Sequence, residues 1–242
     1  MTIFDNLSNF SKRVVAIDND LKVYKYEDLL YRSSMINKLV SPRDNVFLIC
    51  ENNFSFLCIY IGLVRNRNIV YLLDRSIDKD KFKILKNFHK PKCIFFPKGF
   101  LNNIDSNNYE NIDINYLVSK TEFNQNFNFQ KDISILLSTS GSTGSPKFVK
   151  LSYLNIEDNT KKISDYLNIK KKDRSITTME CNYSYGMSII NTHLYSGASV
   201  VLTKKNFFDK DFWLLMNNMK VTNFGGVPFA FEILNKINFF EK

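Results

Sequence analysis

Apolar residues in this chain gather in short runs, separated by stretches with helical spacing. Continuous runs at 46–50, 69–73, 93–96, 133–137 and 198–203 predict buried strands. Between two of them, Leu57, Tyr60, Ile61 and Val64 fall at i, i+3, i+4 and i+7, which predicts a helix. Leu29, Leu30, Ile36 and Leu39 predict another over 26–40, stopped by Ser41-Pro42. Residues 79–88 read as a basic amphipathic helix, and 14–18 with 21–25 as a hairpin turning at Asn19-Asp20. Ser152 is placed to cap a helix reaching about 167, with Glu157 and Asp158 near its positive end. Further on come a strand over 174–179 and a helix ending at Ser196. Phe208, Phe212, Leu215 and Met219 stripe another helix, 221–224 reads as a strand, and a last helix opens at Pro228. Strand and helix alternate, so the expected class is α/β: doubly wound, mostly parallel sheets with helices on both faces.

Two stretches depart from that rhythm. Residues 101–130 are polar, Asn-rich and weakly periodic, with one short strand piece at 112–118. They read as a crossing between subdomains, or as a low-complexity interaction segment. The other stretch is Thr139-Ser140-Gly141-Ser142-Thr143-Gly144-Ser145-Pro146-Lys147, between the run at 133–137 and a second apolar-alternating run at 148–151. Its hydroxyls, close-approaching backbone N–H groups and single ammonium suit a polyphosphate, whose charge must be spread over many donors. A Walker loop does not fit, because Gly141 and Gly144 are only three apart, Pro146 precedes the Lys, and a strand-like run follows. A Ser/Gly surface linker is the plain alternative, although linkers seldom join two apolar runs and end in Pro-Lys.

Composition narrows the partners. Lys and Arg number 33 against 24 Asp and Glu, a net charge of +9, but the cations are dispersed. The densest groups are Lys161-Lys162 and Lys170-Lys171-Lys172, so no nucleic-acid partner is expected. Cys50, Cys58, Cys93 and Cys181 lie far apart and read as small buried hydrophobes of a reducing compartment. His89 and His193 have no partners at metal-ligand spacing, and His193 reads as a satisfied helix histidine rather than a base. No apolar run is long enough to span a membrane and no signal peptide opens the chain, so a cytoplasmic location is expected.

The stretch 139–147 resembles the phosphate-binding motif of the adenylate-forming (AMP-binding) superfamily, which includes acyl-CoA synthetases, luciferases and the adenylation domains of peptide synthetases. Tyr24-Lys25-Tyr26-Glu27-Asp28-Leu29 and residues 62–74 are similar to two earlier blocks of the acyl-CoA synthetase branch, and both read as structural. The second departs from the family pattern at Arg65-Asn66-Arg67-Asn68. The resemblance implies ATP-dependent activation of a carboxylic acid as its acyl-adenylate, followed by thioester formation with CoA. It places Thr139, Ser140, Gly141, Ser142, Thr143, Gly144 and Lys147 on the ATP phosphates, with Thr143 and Lys147 in catalytic roles. Tyr183, Tyr185 and Gly186 would lie beside the acid, and Gly225 and Gly226 at the floor of its pocket. Two core aromatics and a packing turn are the competing readings there. Between Met179 and Met187 only Glu180 is acidic, so the Asp that pairs an amino acid's ammonium is lacking and an acid without an α-amino group fits better.

The resemblance covers almost all of residues 1–242, read as one partial N-terminal domain. The family's adenine-stacking block with its Mg²⁺-binding Glu, its ribose-holding Asp and its C-terminal domain with a catalytic Lys have no counterpart in this sequence. The chain alone is therefore expected to be incomplete as a ligase, with Mg²⁺ implied by family and a second chain as the source of the missing half. A non-catalytic remnant, or an interaction scaffold within a split enzyme, is the alternative.

Overall fold

A computed structural model describes residues 2–104, 108–123, 129–138 and 147–236. The expected hairpin is present as β1 (Val14–Ile17) and β2 (Val23–Lys25), paired antiparallel. The chain continues through α1 (Tyr26–Ile36), β3 (Asn45–Ile49), α2 (Phe54–Arg65) and β4 (Ile69–Leu73). Then come α3 (Lys79–His89), β5 (Cys93–Pro97), β6 (Glu110–Asn111) and β7 (Tyr116–Lys120). Next are β8 (Ile133–Ser138), β9 (Phe148–Ser152), α4 (Tyr153–Tyr166), β10 (Arg174–Ile176) and α5 (Ser184–Tyr195). β11 (Ser199–Val201), α6 (Lys210–Asn218), β12 (Asn223–Phe224) and α7 (Pro228–Lys236) complete the described strands and α-helices.

The strands form two sheets, in the orders β6-β7-β5-β3-β4-β8-β9 and β12-β10-β11-β1-β2. Their centres are parallel, whereas β2, β6, β7 and β9 join by antiparallel pairing. Alternation along the strands separates three cores. Val46 and Leu48 of β3 face a core shared with α1, α2 and α5, to which β1 and β11 contribute Val15, Ala16 and Val200. Phe47 and Ile49 face the opposite way, toward Phe82 and Leu85 of α3. On the far face of the smaller sheet, Ile17, Ile176 and Val201 meet Phe212 of α6. The result is five layers, helix–sheet–helix–sheet–helix.

In that arrangement α2 lies between the sheets. Every residue from Phe54 to Val64 is buried, so the stripe visible in the sequence is one face of a helix that is apolar all round. Asn53 starts it by accepting the Phe56 N–H at 2.8 Å, and Tyr60 ties it to α5 through Asn191 at 3.0 Å. Ser152 caps α4 as expected, accepting the Asn155 N–H at 3.1 Å. Glu157 and Asp158, however, pair with Lys161 and Lys162 one turn along rather than serving the helix start. Within 101–130, β6 and β7 add to the edge of the larger sheet beside β5, so this stretch leaves and rejoins one sheet. All four cysteines are buried and free.

Candidate active site

Several strands end in polar residues at one place: Asp18 after β1, Glu51 after β3, Asp74 after β4 and Lys204 after β11. The carboxyl ends of parallel strands are where open α/β sheets bind ligands. Here the two sheets are stitched together at those ends. Asn52 donates to the carbonyls of Met179 and Thr203 at 3.4 and 3.3 Å, and Asn19 donates to the Asn52 carbonyl at 2.9 Å. Asp18 accepts the Phe54 N–H at 3.0 Å, which fixes the start of α2.

Glu51 is buried, and its carboxylate is met by Arg75 at 2.6 Å, Lys204 at 2.5 Å and the Asn53 amide at 3.0 Å. Two cations with access to water offset the desolvation of that one carboxylate. Asp74 accepts the N–H and hydroxyl of Ser76 on Oδ1, both at 2.7 Å, while Oδ2 faces the Asn182 amide at 3.5 Å and the Tyr183 hydroxyl at 3.4 Å. Glu180 stands partly buried beside these acids. Burial, then the charges of Asp74 and Glu51, push its carboxyl up to about 7, against the opposing pull of Arg75 and Lys204. A carboxyl displaced so far at a strand-end cleft is a candidate for function.

The phosphate-loop residues Thr139, Ser140, Gly141, Ser142, Thr143 and Gly144 lie outside the described residues. Their flanks are defined, since Ser138 of β8 pairs with Phe148 of β9. Lys147 is exposed just before β9. β8 runs parallel beside β4 with Leu137 level with Leu72, so Ser138 and Asp74 emerge at the same edge.

The two tyrosines diverge. Tyr183, the residue capping α5, turns its hydroxyl to Asp74. Tyr185 packs on Gly225, where an added Cβ would come within 2.9 Å of its hydroxyl and 2.7 Å of Ile189. Gly226 lies against Phe231, 2.9 Å from where its Cβ would be. At Gly186 a Cβ would sit 2.2 Å from the Glu180 carbonyl oxygen, so packing alone requires the glycine. A glycine at this point lets the first turn of α5 seat beneath residues 179 and 180.

Behind Tyr185 a cavity of about 290 Å³ opens between α4, α5, β10 and β12. Ile163, Leu167, Tyr185 and Ile189 form its apolar walls, with Ser175, His193 and Asn223 among its polar lining. His193 is satisfied, as expected from the sequence: its Nδ1 meets the Ile189 carbonyl at 2.8 Å and its Nε2 meets Asn223 at 3.1 Å. Burial depresses its pKa.

Sequence reasoning gave no site role to Glu51, Asp74, Glu180 or Lys204. A signal existed for three of them, because a charged residue directly after a buried strand marks the sheet edge where ligands bind.

This layered arrangement is the fold of the N-terminal domains of adenylate-forming enzymes. o-Succinylbenzoate CoA synthetase from Bacillus subtilis, bound to an acyl-adenylate, superposes with a TM-score of 0.75 at 18% identity, over 95% of this chain and 63% of that one. ATP-bound MatB from Rhodopseudomonas palustris superposes with a TM-score of 0.73 at 19% identity, over 97% of this chain and 51% of that one. The AMP-binding enzyme family model matches residues 31–242, and the chain belongs to that family. Among its relatives is the oxalate–CoA ligase of Saccharomyces cerevisiae, 22% identical over 213 residues, or 72% of this chain and 39% of the relative. Another is luciferin 4-monooxygenase of Nipponoluciola cruciata, 23% identical over 176 residues, or 72% of this chain and 28% of the relative. The chain thus spans well under half the length of these two curated relatives.

Proposed function

We propose that this chain carries the phosphate-binding and acid-binding parts of an enzyme that activates a carboxylic acid with ATP. The carboxylate oxygen bonds to the α-phosphorus, the bond from that phosphorus to the bridging oxygen breaks, and pyrophosphate leaves. Both partners are anionic, so positioning and charge neutralisation carry most of the chemistry. Thr139, Ser140, Gly141, Ser142, Thr143, Gly144 and Lys147 hold the β- and γ-phosphates. Tyr183 and Tyr185 flank the acid, and Gly225 and Gly226 floor its pocket. In a second step CoA takes the acyl group as a thioester.

The family match running through 139–147 is the observation that carries this reading. The cavity lined by Tyr185 and Gly225 supports the acid-binding half. Mg²⁺ is implied by family, yet among the described residues no group of three or more His, Cys, Asp or Glu gathers to hold a metal. No residue of this chain is therefore assigned to the ion.

Calorimetric titration of the chain with Mg-ATP tests the phosphate loop. Lys147→Ala and Thr143→Ala should each weaken binding about tenfold, the loss expected for one charge-assisted contact to phosphate. Binding left unchanged by both would overturn the assignment. Acid-dependent exchange of labelled pyrophosphate into ATP, with the C-terminal half of an adenylate-forming relative supplied as a second chain, then tests the reaction; binding without exchange in that reconstituted enzyme would favour the scaffold reading.

A further inference from the structure

A second cavity, of about 430 Å³, opens where an edge strand of each sheet comes near the other. Tyr24 of β2 lines it on one side, and the turn at 112–115 after β6 lines it on the other. Its remaining walls are helical. Arg32, Met35 and Ile36 fall at i, i+3 and i+4 of α1, and Ser55, Cys58 and Ile59 repeat that spacing on α2. Tyr31, Met35 and Ile114 are large side chains exposed at its rim. None of these residues lines the cavity behind Tyr185.

One charged group here has no partner in the fold. Tyr24 stacks on Phe54, with ring centroids 3.7 Å apart and an interplanar angle of 8°. The Arg32 guanidinium carbon lies 5.4 Å from both centroids, so it sits beside the stack rather than over either face. Ring edges are the positive end of the aromatic quadrupole, so that position does not neutralise the cation. Among the described residues no carboxylate pairs with Arg32 and no protein oxygen accepts its N–H groups. Arg32 is only half-buried, so those donors can be reached from the cavity. Lys22 adds a second cation, 5.3 Å from the Tyr24 ring. Asp113 is the carboxylate of the lining, and its Oδ1 is committed to the N–H groups of Asn115 and Tyr116 at 2.8 and 3.0 Å. Positive charge is therefore in excess beside aliphatic walls.

We propose that this cavity binds a medium-chain aliphatic carboxylate, with its head on Arg32 and its chain along Ile36, Cys58, Ile59 and Ile112. The site is separate from the ATP and acid sites proposed above and does not rest on that reading. A planar guanidinium meets a carboxylate through two parallel hydrogen bonds, which favours this head group over a neutral one. Largely apolar walls with a few placed charges, in a cavity of this size, suit a small amphiphile.

Calorimetric titration of the 242-residue chain with decanoate and with decanol tests this. Decanoate should bind about tenfold more tightly than the alcohol, and Arg32→Gln should bring the two within about twofold. Met35→Glu sets a carboxylate at the rim and should weaken decanoate about fivefold while sparing the alcohol. Met35 is exposed, so this variant keeps the test open if Arg32→Gln disturbs folding. Decanoate held as tightly by both variants as by the parent would place it elsewhere and overturn the inference. Equal affinity for acid and alcohol in the parent, or no binding of decanoate, would also overturn it. Sedimentation gives the last arm: a dimer of the parent that Met35→Glu dissociates would make a second copy the occupant and sink the proposal.

Discussion

The hydroxyl of Tyr183 points at Oδ2 of Asp74 across 3.4 Å, linking the cap of α5 to the end of β4. One residue lies after a strand of the larger sheet and the other opens a helix that packs on the smaller one. Asn182 adds a second, longer contact at 3.5 Å to the same oxygen. Asp74 also holds its own turn through Ser76, so its parts in the link and in the turn are separable by mutation.

Asp74→Ala should destabilise the chain by about 1–2 kcal/mol, because the Ser76 N–H and hydroxyl and the Asn182 amide lose their acceptor together. Tyr183→Phe should cost less than about 0.5 kcal/mol, since its contact is long and the residue is 54% exposed. Urea unfolding of both variants checks this. A Tyr183→Phe cost equal to that of Asp74→Ala would mean that the link, not the turn, is what Asp74 stabilises.

Glu51→Gln leaves Arg75 and Lys204 facing an uncharged amide. Breaking a fully buried pair costs about 3–5 kcal/mol, and the partial exposure of both cations reduces this to about 2. Lys204→Ala alone should cost under about 1 kcal/mol, because Arg75 remains on the carboxylate. Thermal or urea melts that rank the two in the opposite order would contradict this account of the cluster.

Gly186→Ala distinguishes packing from substrate space. With the Glu180 carbonyl 2.2 Å from the new methyl group, backbone must move, at a cost of about 1–3 kcal/mol without any ligand present. A variant as stable as the parent that binds acid poorly would instead place the glycine beside the substrate.

His89 packs against Phe47, Tyr71 and Phe148, and burial pushes its pKa down to about 4 from an ordinary 6.5. The folded state thus binds fewer protons than the unfolded chain between those values. The stability that comes from a neutral His89 is complete above about pH 6.5 and is lost as pH falls toward about 4. His193 is depressed as well, so acid should weaken the fold through both rings. An imidazole resonance with a midpoint near 4 that disappears in His89→Phe, together with a shallower fall of Tm in that variant, is the expected result.

Local pattern was readable in this sequence and long-range placement was not. β4 was expected at 69–73 and is found there, because a five-residue apolar run between polar flanks is too short for a helix and suits a buried strand. β10 was expected to reach Met179 but ends at Ile176, where the chain turns to bring Glu180 toward Asp74. Nothing local distinguishes Ser175 from other serines. Its neighbours across the sheet, Val200 and Asn223, are remote in sequence, and only their register shows which face of the sheet it lies on. The stretch 139–147 is the reverse case: its expected phosphate chemistry rests on sequence pattern alone, and residues 139–146 lie outside those described.

The burial of α2 on every side has a consequence for biosynthesis. One flank of its core is supplied by β1, whose parallel partner β11 pairs Val200 with Ala16. At ordinary translation speeds of about 5–20 residues per second, β11 follows α2 from the ribosome by on the order of ten seconds. For that interval a helix lacking any polar face has only half of its covering. The nascent chain is then a natural client for a holdase, and slowing translation between residues 65 and 199 should raise the yield of aggregate rather than of folded protein.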